Sequence, residues 1–244
     1  MKYFFICLCF FLQACSTLKI PNTFQYKEIT TSTFTLASWQ KLTNSYSPIR
    51  IYVEGDGYAF DQNGKATNDP TPISTIVREL AFNDYNSNVI YLARPCQFIQ
   101  NALCTKDCWS IGRFSQNAIQ ALYEASKKIA KQQEIIFIGY SGGALLTGLV
   151  IQEYKDLNVI KWITLAGLLD HKAWSDYLHL YPLTKSLNLN SLPTINQIHF
   201  IGEKDNVIPL DLQRKITKNK NLYIIKNATH NKNLEQIFPL IYQE

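Results

Sequence analysis

Gly139-Tyr140-Ser141-Gly142-Gly143 sets a serine among glycines, directly after the apolar run Ile135 to Ile138 and directly before Ala144-Leu145-Leu146. The pattern is G-x-S-x-G. Between a strand and a helix it makes a tight turn whose strained backbone lifts the hydroxyl clear of the sheet edge, where it can attack an acyl carbon. The competing reading is a glycine-rich turn that packs closely or cradles a phosphate. A serine hydroxyl is a poor nucleophile without a base, and the base needs an acid to orient it. Of the four histidines, His199 lies inside "INQIHFIG" and reads as a packed core residue, while His171 and His179 fall in a long irregular stretch. His230 follows the last apolar run directly, in "IIKNATHN". Asp205, in "HFIGEKDNVIP", stands just past the next-to-last run; Asp170 and Glu203 are its rivals as the acid. Ser141, Asp205 and His230 then come in the chain order nucleophile, acid, base.

Acyl transfer also needs donors set in advance for the oxyanion. The Gly142 N–H, next after the serine, is one. The second is expected from the turn in "IYVEGDGYAF", where Gly55 and Gly57 permit unusual dihedrals and bring the Asp56 or Gly57 N–H toward the substrate. By itself Gly-Asp-Gly is a plain turn, or a carboxylate for a metal. The chain has no His-Glu-x-x-His motif and its carboxylates do not cluster in sequence, so the reading calls for no metal and no cofactor.

These residues need a scaffold that delivers them to one edge. "FQYKEITTSTFTLASWQKL" alternates polar and apolar residues, as in a half-buried antiparallel strand. "PIRIYVEGDG", "NVIYLARP", "EIIFIGY", "VIKWITLAG", "INQIHFIGEKD" and "NLYIIKN" are short apolar runs bounded by turn residues. Between them, helical spacing appears in "DPTPISTIVRELAF" with Ile73, Ile76, Val77 and Leu80 on one face, and in "RFSQNAIQALYEASKKIAKQQ" with Ser115 as cap. Helices are also expected at "GALLTGLVIQEYKD", "PLDLQRKIT" and "NLEQIFPLIY". Buried strands alternating with helices predict an α/β fold, a mostly parallel doubly wound sheet with an antiparallel N-terminal edge. Residues 167–194 are too long for an ordinary connection and predict a small lid-like excursion, whose Trp174, Tyr177 and Tyr181 either line a pocket or pack it onto the domain. Arg113 and Trp109 are further candidates to face the site.

The 244 residues suit one domain. At the start, Lys2 precedes an apolar run from Tyr3 to Leu12, about half the ~20 residues a membrane-spanning helix needs, so residues 1–14 read as a secretory signal. Leu12-Gln13-Ala14-Cys15 resembles the lipobox of bacterial lipoproteins, which implies a lipid on Cys15, a mature domain over 15–244 and membrane attachment through that anchor. Ser16, in place of the Asp that retains such proteins at the inner membrane, implies the outer membrane, facing the periplasm. An ordinary secreted protein is the alternative. Of the net charge of +5, one unit sits on Lys2, leaving +4 for the mature chain, a scattered surplus that excludes a nucleic-acid stripe as the basis of function. Cys96, Cys104 and Cys108 lie close together, and an oxidising compartment favours a disulfide of Cys96 with Cys104 or Cys108, a zinc site being the rival.

With these motifs in place, the sequence resembles the α/β-hydrolase superfamily over nearly the whole mature chain. "EGDG", "ARPCQ", "RFS", "GYSGG", "LLDHKAWSDYLHLYPLTKSLN", "HFIGEKDNVIP" and "ATHN" are similar to a group of bacterial envelope α/β-hydrolases. The resemblance implies Ser141, Asp205 and His230 as a triad and a disulfide starting at Cys96. Two functions are expected to compete: a serine hydrolase acting on a small-molecule or acylated substrate through an ester, thioester or amide bond, or a lipid-anchored binding protein that keeps the fold without the activity.

Overall fold

A computed structural model describes residues 18–244. Cys15 and the segment read as a signal lie outside the described residues. The alternating N-terminal stretch is two strands rather than one, β1 (Gln25–Thr30) and β2 (Thr35–Leu42), paired antiparallel with Thr30 opposite Thr35. Thr31 makes the reversal: its N–H and its hydroxyl both donate to the Phe34 carbonyl, at 2.8 and 2.6 Å.

The chain then alternates. β3 (Ile49–Val53), α1 (Ile76–Phe82), β4 (Asn88–Leu92), α2 (Gln116–Ala130), β5 (Ile135–Tyr140), α3 (Gly142–Glu153) and β6 (Val159–Leu165) follow in order. After them come α4 (His171–Tyr177), β7 (Asn196–Gly202), α5 (Leu210–Thr217), β8 (Leu222–Ile225) and α6 (Phe238–Gln243). The strands form one sheet in the order β1-β2-β4-β3-β5-β6-β7-β8. β2 runs antiparallel to both neighbours, and β4 through β8 are mutually parallel.

Burial explains the pattern of residues. All of β3, β4 and β5 is buried, which is why these strands read as continuous apolar runs without alternation. α3 is buried from Gly142 to Ile151, and its sequence is correspondingly apolar on every side. α2 is amphipathic: Ile119, Leu122 and Ile129 face the core while Lys127 and Lys128 are exposed. α1 starts later than the spacing predicts. Pro70 and Pro72 hold the approach extended, the helix begins at Ile76, and Ile73 is left in solvent.

The topology also chooses where a site can form. From β3 the chain crosses by α1 to β4, and from β5 it crosses by α3 to β6 on the opposite side, so adjacent strands send their connections apart. The crevice outside the carboxyl ends of such strands is where α/β sheets bind ligands.

Candidate active site

β5 ends at Tyr140, and Ser141 turns the chain into α3 with φ 49° and ψ −121°, a conformation costly for any residue with a side chain. Its surroundings over-determine it. The Ser141 N–H donates to the Leu165 carbonyl at 3.0 Å, and the Ser141 carbonyl accepts from Ala144 and Leu168. A β-carbon at Gly143 would stand 2.5 Å from the Val53 and Glu54 carbonyl oxygens, so glycine is what lets α3 begin this close to β3. At Gly142 a β-carbon would collide with an Asp56 carboxylate oxygen.

Ser141 Oγ lies 3.0 Å from His230 Nε2, and His230 Nδ1 lies 2.9 Å from Asp205 Oδ2. In the neutral tautomer that fits both contacts, Nδ1–H donates to the carboxylate and Nε2 accepts the serine proton. Asp205 is buried after β7, and its other oxygen accepts the Val207 and Ile208 N–H groups at 2.9 and 2.8 Å. The Tyr140 hydroxyl donates to the His230 carbonyl at 2.9 Å, which fixes the loop after β8 against β5.

The rival acids are engaged elsewhere. Asp170 caps α4, accepting from the Lys172 and Ala173 N–H groups at 3.0 and 2.9 Å and from the Asn188 amide at 2.8 Å. Glu203 accepts from the Asn227 N–H. His199 is a packed residue, bonded to Thr164 and Gln197, and burial pushes it down to about 4. His171 is buried against Phe114 with neither ring nitrogen bonded among the described residues, and burial lowers its pKa.

On the other side of Ser141 lies the turn after β3. Gly57 has φ +66°; Gly55 has no such dihedral, and what it permits is the close approach of Tyr140 and Ser141. The N–H groups of Asp56, Gly57 and Gly142 have no acceptor among the described residues. Sequence patterns gave no sign of what holds this turn. Asp56 takes Arg94 on one carboxylate oxygen and Arg113, at 2.6 Å, on the other. Burial raises its pKa, and the two guanidinium groups outweigh that and hold it below the ordinary carboxylate value. Gln97 donates to the Gly55 carbonyl at 2.9 Å and accepts from the Arg94 N–H. Glu54 is 3% exposed and accepts from the Gly55 N–H and the Tyr91 hydroxyl. Burial pushes its carboxyl up to about 7, against the smaller opposing pull of those hydrogen bonds.

The disulfide joins Cys96 to Cys104, leaving Cys108 as a half-buried free thiol whose Sγ lies 3.2 Å from the Leu103 carbonyl. Among the described residues no group of three His, Cys, Asp or Glu side chains has the arrangement of a metal site.

Ser141 and His230 open into a cleft of about 510 Å3 walled by Tyr58, Phe60, Ile73, Trp174 and Val207, with Arg113 at its side. Trp109 is not in it: its ring is buried and its Nε1 donates to the Thr67 carbonyl. Of the excursion's aromatics, Trp174 joins the cleft wall, tied by its Nε1–H to the Val207 carbonyl at 2.7 Å. Tyr177 and Tyr181 point away, the latter 94% exposed. A larger hollow, about 680 Å3, is lined by residues of α4, α5 and β7 and contains neither Ser141 nor His230.

No family model matches the sequence and no curated protein matches it. Solved structures match over most of the chain. A serine hydrolase from Cycloclasticus zankles superposes with a TM-score of 0.61 at 12% identity, over 90% of this chain and 96% of that one. Est1E from Butyrivibrio proteoclasticus gives 0.61 at 12% identity, over 89% and 96%. An esterase from Pyrococcus furiosus gives 0.60 at 17% identity, over 90% of both chains. The chain has the α/β-hydrolase fold. Within that fold Ser141 occupies the turn after β5, Asp205 the loop after β7 and His230 the loop after β8, all at the carboxyl edge of the sheet.

Proposed function

We propose that the protein is a serine hydrolase that cleaves a carboxylic ester, thioester or amide through an acyl-enzyme on Ser141, with carboxylic esters as the favoured class. The observation that carries this reading is the unbroken hydrogen-bond chain from Ser141 Oγ through His230 to Asp205, set in an open apolar cleft. In this reading His230 takes the serine proton as Oγ attacks the acyl carbon, and Asp205 keeps the ring in the accepting tautomer and stabilises the imidazolium. The Gly142 N–H and that of Asp56 or Gly57 receive the oxyanion. His230 then protonates the leaving group, and water attacks the acyl-enzyme by the reverse route. Cleft residues Tyr58, Phe60 and Val207 suit an apolar acyl or alcohol group.

The same proposal places the protein in the bacterial envelope, with residues 1–14 removed and Cys15 lipidated, on the pattern of "LQAC". Globomycin sensitivity of processing and palmitate incorporation lost in Cys15→Ser test that part.

For the chemistry, a fluorophosphonate probe should label the folded protein at Ser141. Labelling that survives Ser141→Ala, or its absence in the wild type, would sink the reading. Hydrolysis of a short-chain nitrophenyl ester should fall by about 10⁴-fold or more in Ser141→Ala and in His230→Ala, because the triad acts as a unit.

A further inference from the structure

Arg94 and Arg113 both hold Asp56, and each uses a single nitrogen to do it. Arg94 spends another on the Arg113 carbonyl at 2.7 Å. Arg113 does not: its side chain is 6% exposed, its Nε is buried, and that Nε has no acceptor among the described residues. A buried donor without a partner is costly, and a guanidinium fork is shaped to grip an oxyacid with two parallel bonds. The position of Arg113 is what gives the spare donors meaning. Its guanidinium carbon lies 5.4 Å from the Phe60 ring centroid and 5.8 Å from that of Trp174, and all three line the cleft that holds Ser141 and His230. Two guanidinium groups in this corner face one fully charged carboxylate, Asp56, since Glu54 titrates only near 7. The corner is cationic, flat-walled and beside the nucleophile.

We propose that Arg113 is a specificity-determining residue that selects acyl substrates bearing an anionic oxyacid group, a carboxylate or a phosphate, close to the scissile bond. The proposal rests on Ser141 as the nucleophile. It assigns Arg113 two contacts, Nη1 on Asp56 and the part of the guanidinium that meets the cleft on the substrate anion.

Paired esters test it. 4-Nitrophenyl hemiadipate is set against 4-nitrophenyl hexanoate for an anion on the acyl side, and 3-(butanoyloxy)benzoate against phenyl butanoate for one on the leaving side. Phosphonates in place of the carboxylates tell the two oxyacids apart. The wild type should prefer the anionic member of at least one pair by roughly tenfold or more in kcat/KM, as expected for a charge-assisted bond. Arg113→Met should abolish the preference and Arg113→Lys restore part of it. Arg113 also steadies Asp56, so both esters will slow in Arg113→Met; the ratio between them is the readout, and a merely structural role would leave it unchanged. A ratio near one in the wild type for both pairs, or one unaffected by Arg113→Met, overturns the proposal while hydrolysis of the neutral esters upholds Ser141. If no ester of the two pairs turns over, fluorophosphonate labelling decides the Ser141 reading, and calorimetric titration of the Ser141→Ala protein with monobutyl adipate decides the subsite. Binding lost in Ser141→Ala/Arg113→Met sustains it, and no binding overturns it.

Discussion

Two buried carboxylates flank Ser141, and the protein uses them in opposite ways. Asp205, past β7, presents one oxygen to His230 and secures the other with two backbone N–H groups. Glu54, just past β3, has no imidazole and no directly bonded cation among the described residues; its partners are Tyr91 and the Gly55 N–H, and burial leaves its carboxyl titrating at about 7. In the proposed reaction the first acid orients a moving proton. The other braces the turn that carries Asp56 and Gly57. The difference teaches that burial at a sheet edge does not assign a role to an acid; what its two oxygens touch does.

Removing each charge in turn is the sharpest way to break that contrast. Asp205→Asn should lower kcat by about 10⁴-fold, because the amide favours the wrong imidazole tautomer, with the fold retained by circular dichroism. Glu54→Gln should stay within roughly tenfold of wild type, since the amide still accepts from Gly55. Equal losses in the two variants would erase the distinction.

Stability against pH separates them again. Glu54 has a folded pKa above its unfolded value of 4.5, so its neutral form favours folding. That contribution is fully present below about pH 4.5 and is lost as pH rises through about 7, to the extent of about 3 kcal/mol. Urea midpoints across this window should therefore fall more steeply in the wild type than in Glu54→Gln. Parallel curves would show that Glu54 is not the buried neutral acid described.

The disulfide tests the bracing side as a whole. Cys96 sits between Arg94 and Gln97, which hold Asp56 and Gly55. Cys104→Ser should cost roughly 2.5 kcal/mol of stability on the loop-entropy model, read as a lower melting temperature. It should also slow turnover with little change in the Asp205–His230 contact, seen as an unmoved His230 Nδ1–H resonance by NMR. The smallest effect is expected for Tyr140→Phe, which removes one hydrogen bond to the His230 carbonyl and should cost about 1 kcal/mol.

The asymmetry also marks what could be read from the chain alone. Glycine spacing and apolar runs are local signals, and they placed the strands, the Ser141 turn, and Asp205 and His230 at successive strand ends. Local signals do not report which side chains meet across the fold. Arg94 and Arg113 reach Asp56 from 38 and 57 residues away, so their joint hold on it left no trace in spacing. Glu54 looked like the end of a strand, and only burial beside Tyr91 makes it a weak acid. Cys96, Cys104 and Cys108 offered two pairings until the backbone put Cys96 and Cys104 Cα atoms 5.6 Å apart. Trp109 and Arg113 are four residues apart with equal claims on the cleft, and the turn between them sends one ring inward and one guanidinium to the wall.

The space above Gly142 is filled by the Asp56 carboxylate. A β-carbon there would also stand 2.7 Å from Arg94 Nη1, so any side chain after Ser141 requires the Asp56 carboxylate and the Arg94 guanidinium to give way together, and with them the ion pair that also holds Arg113.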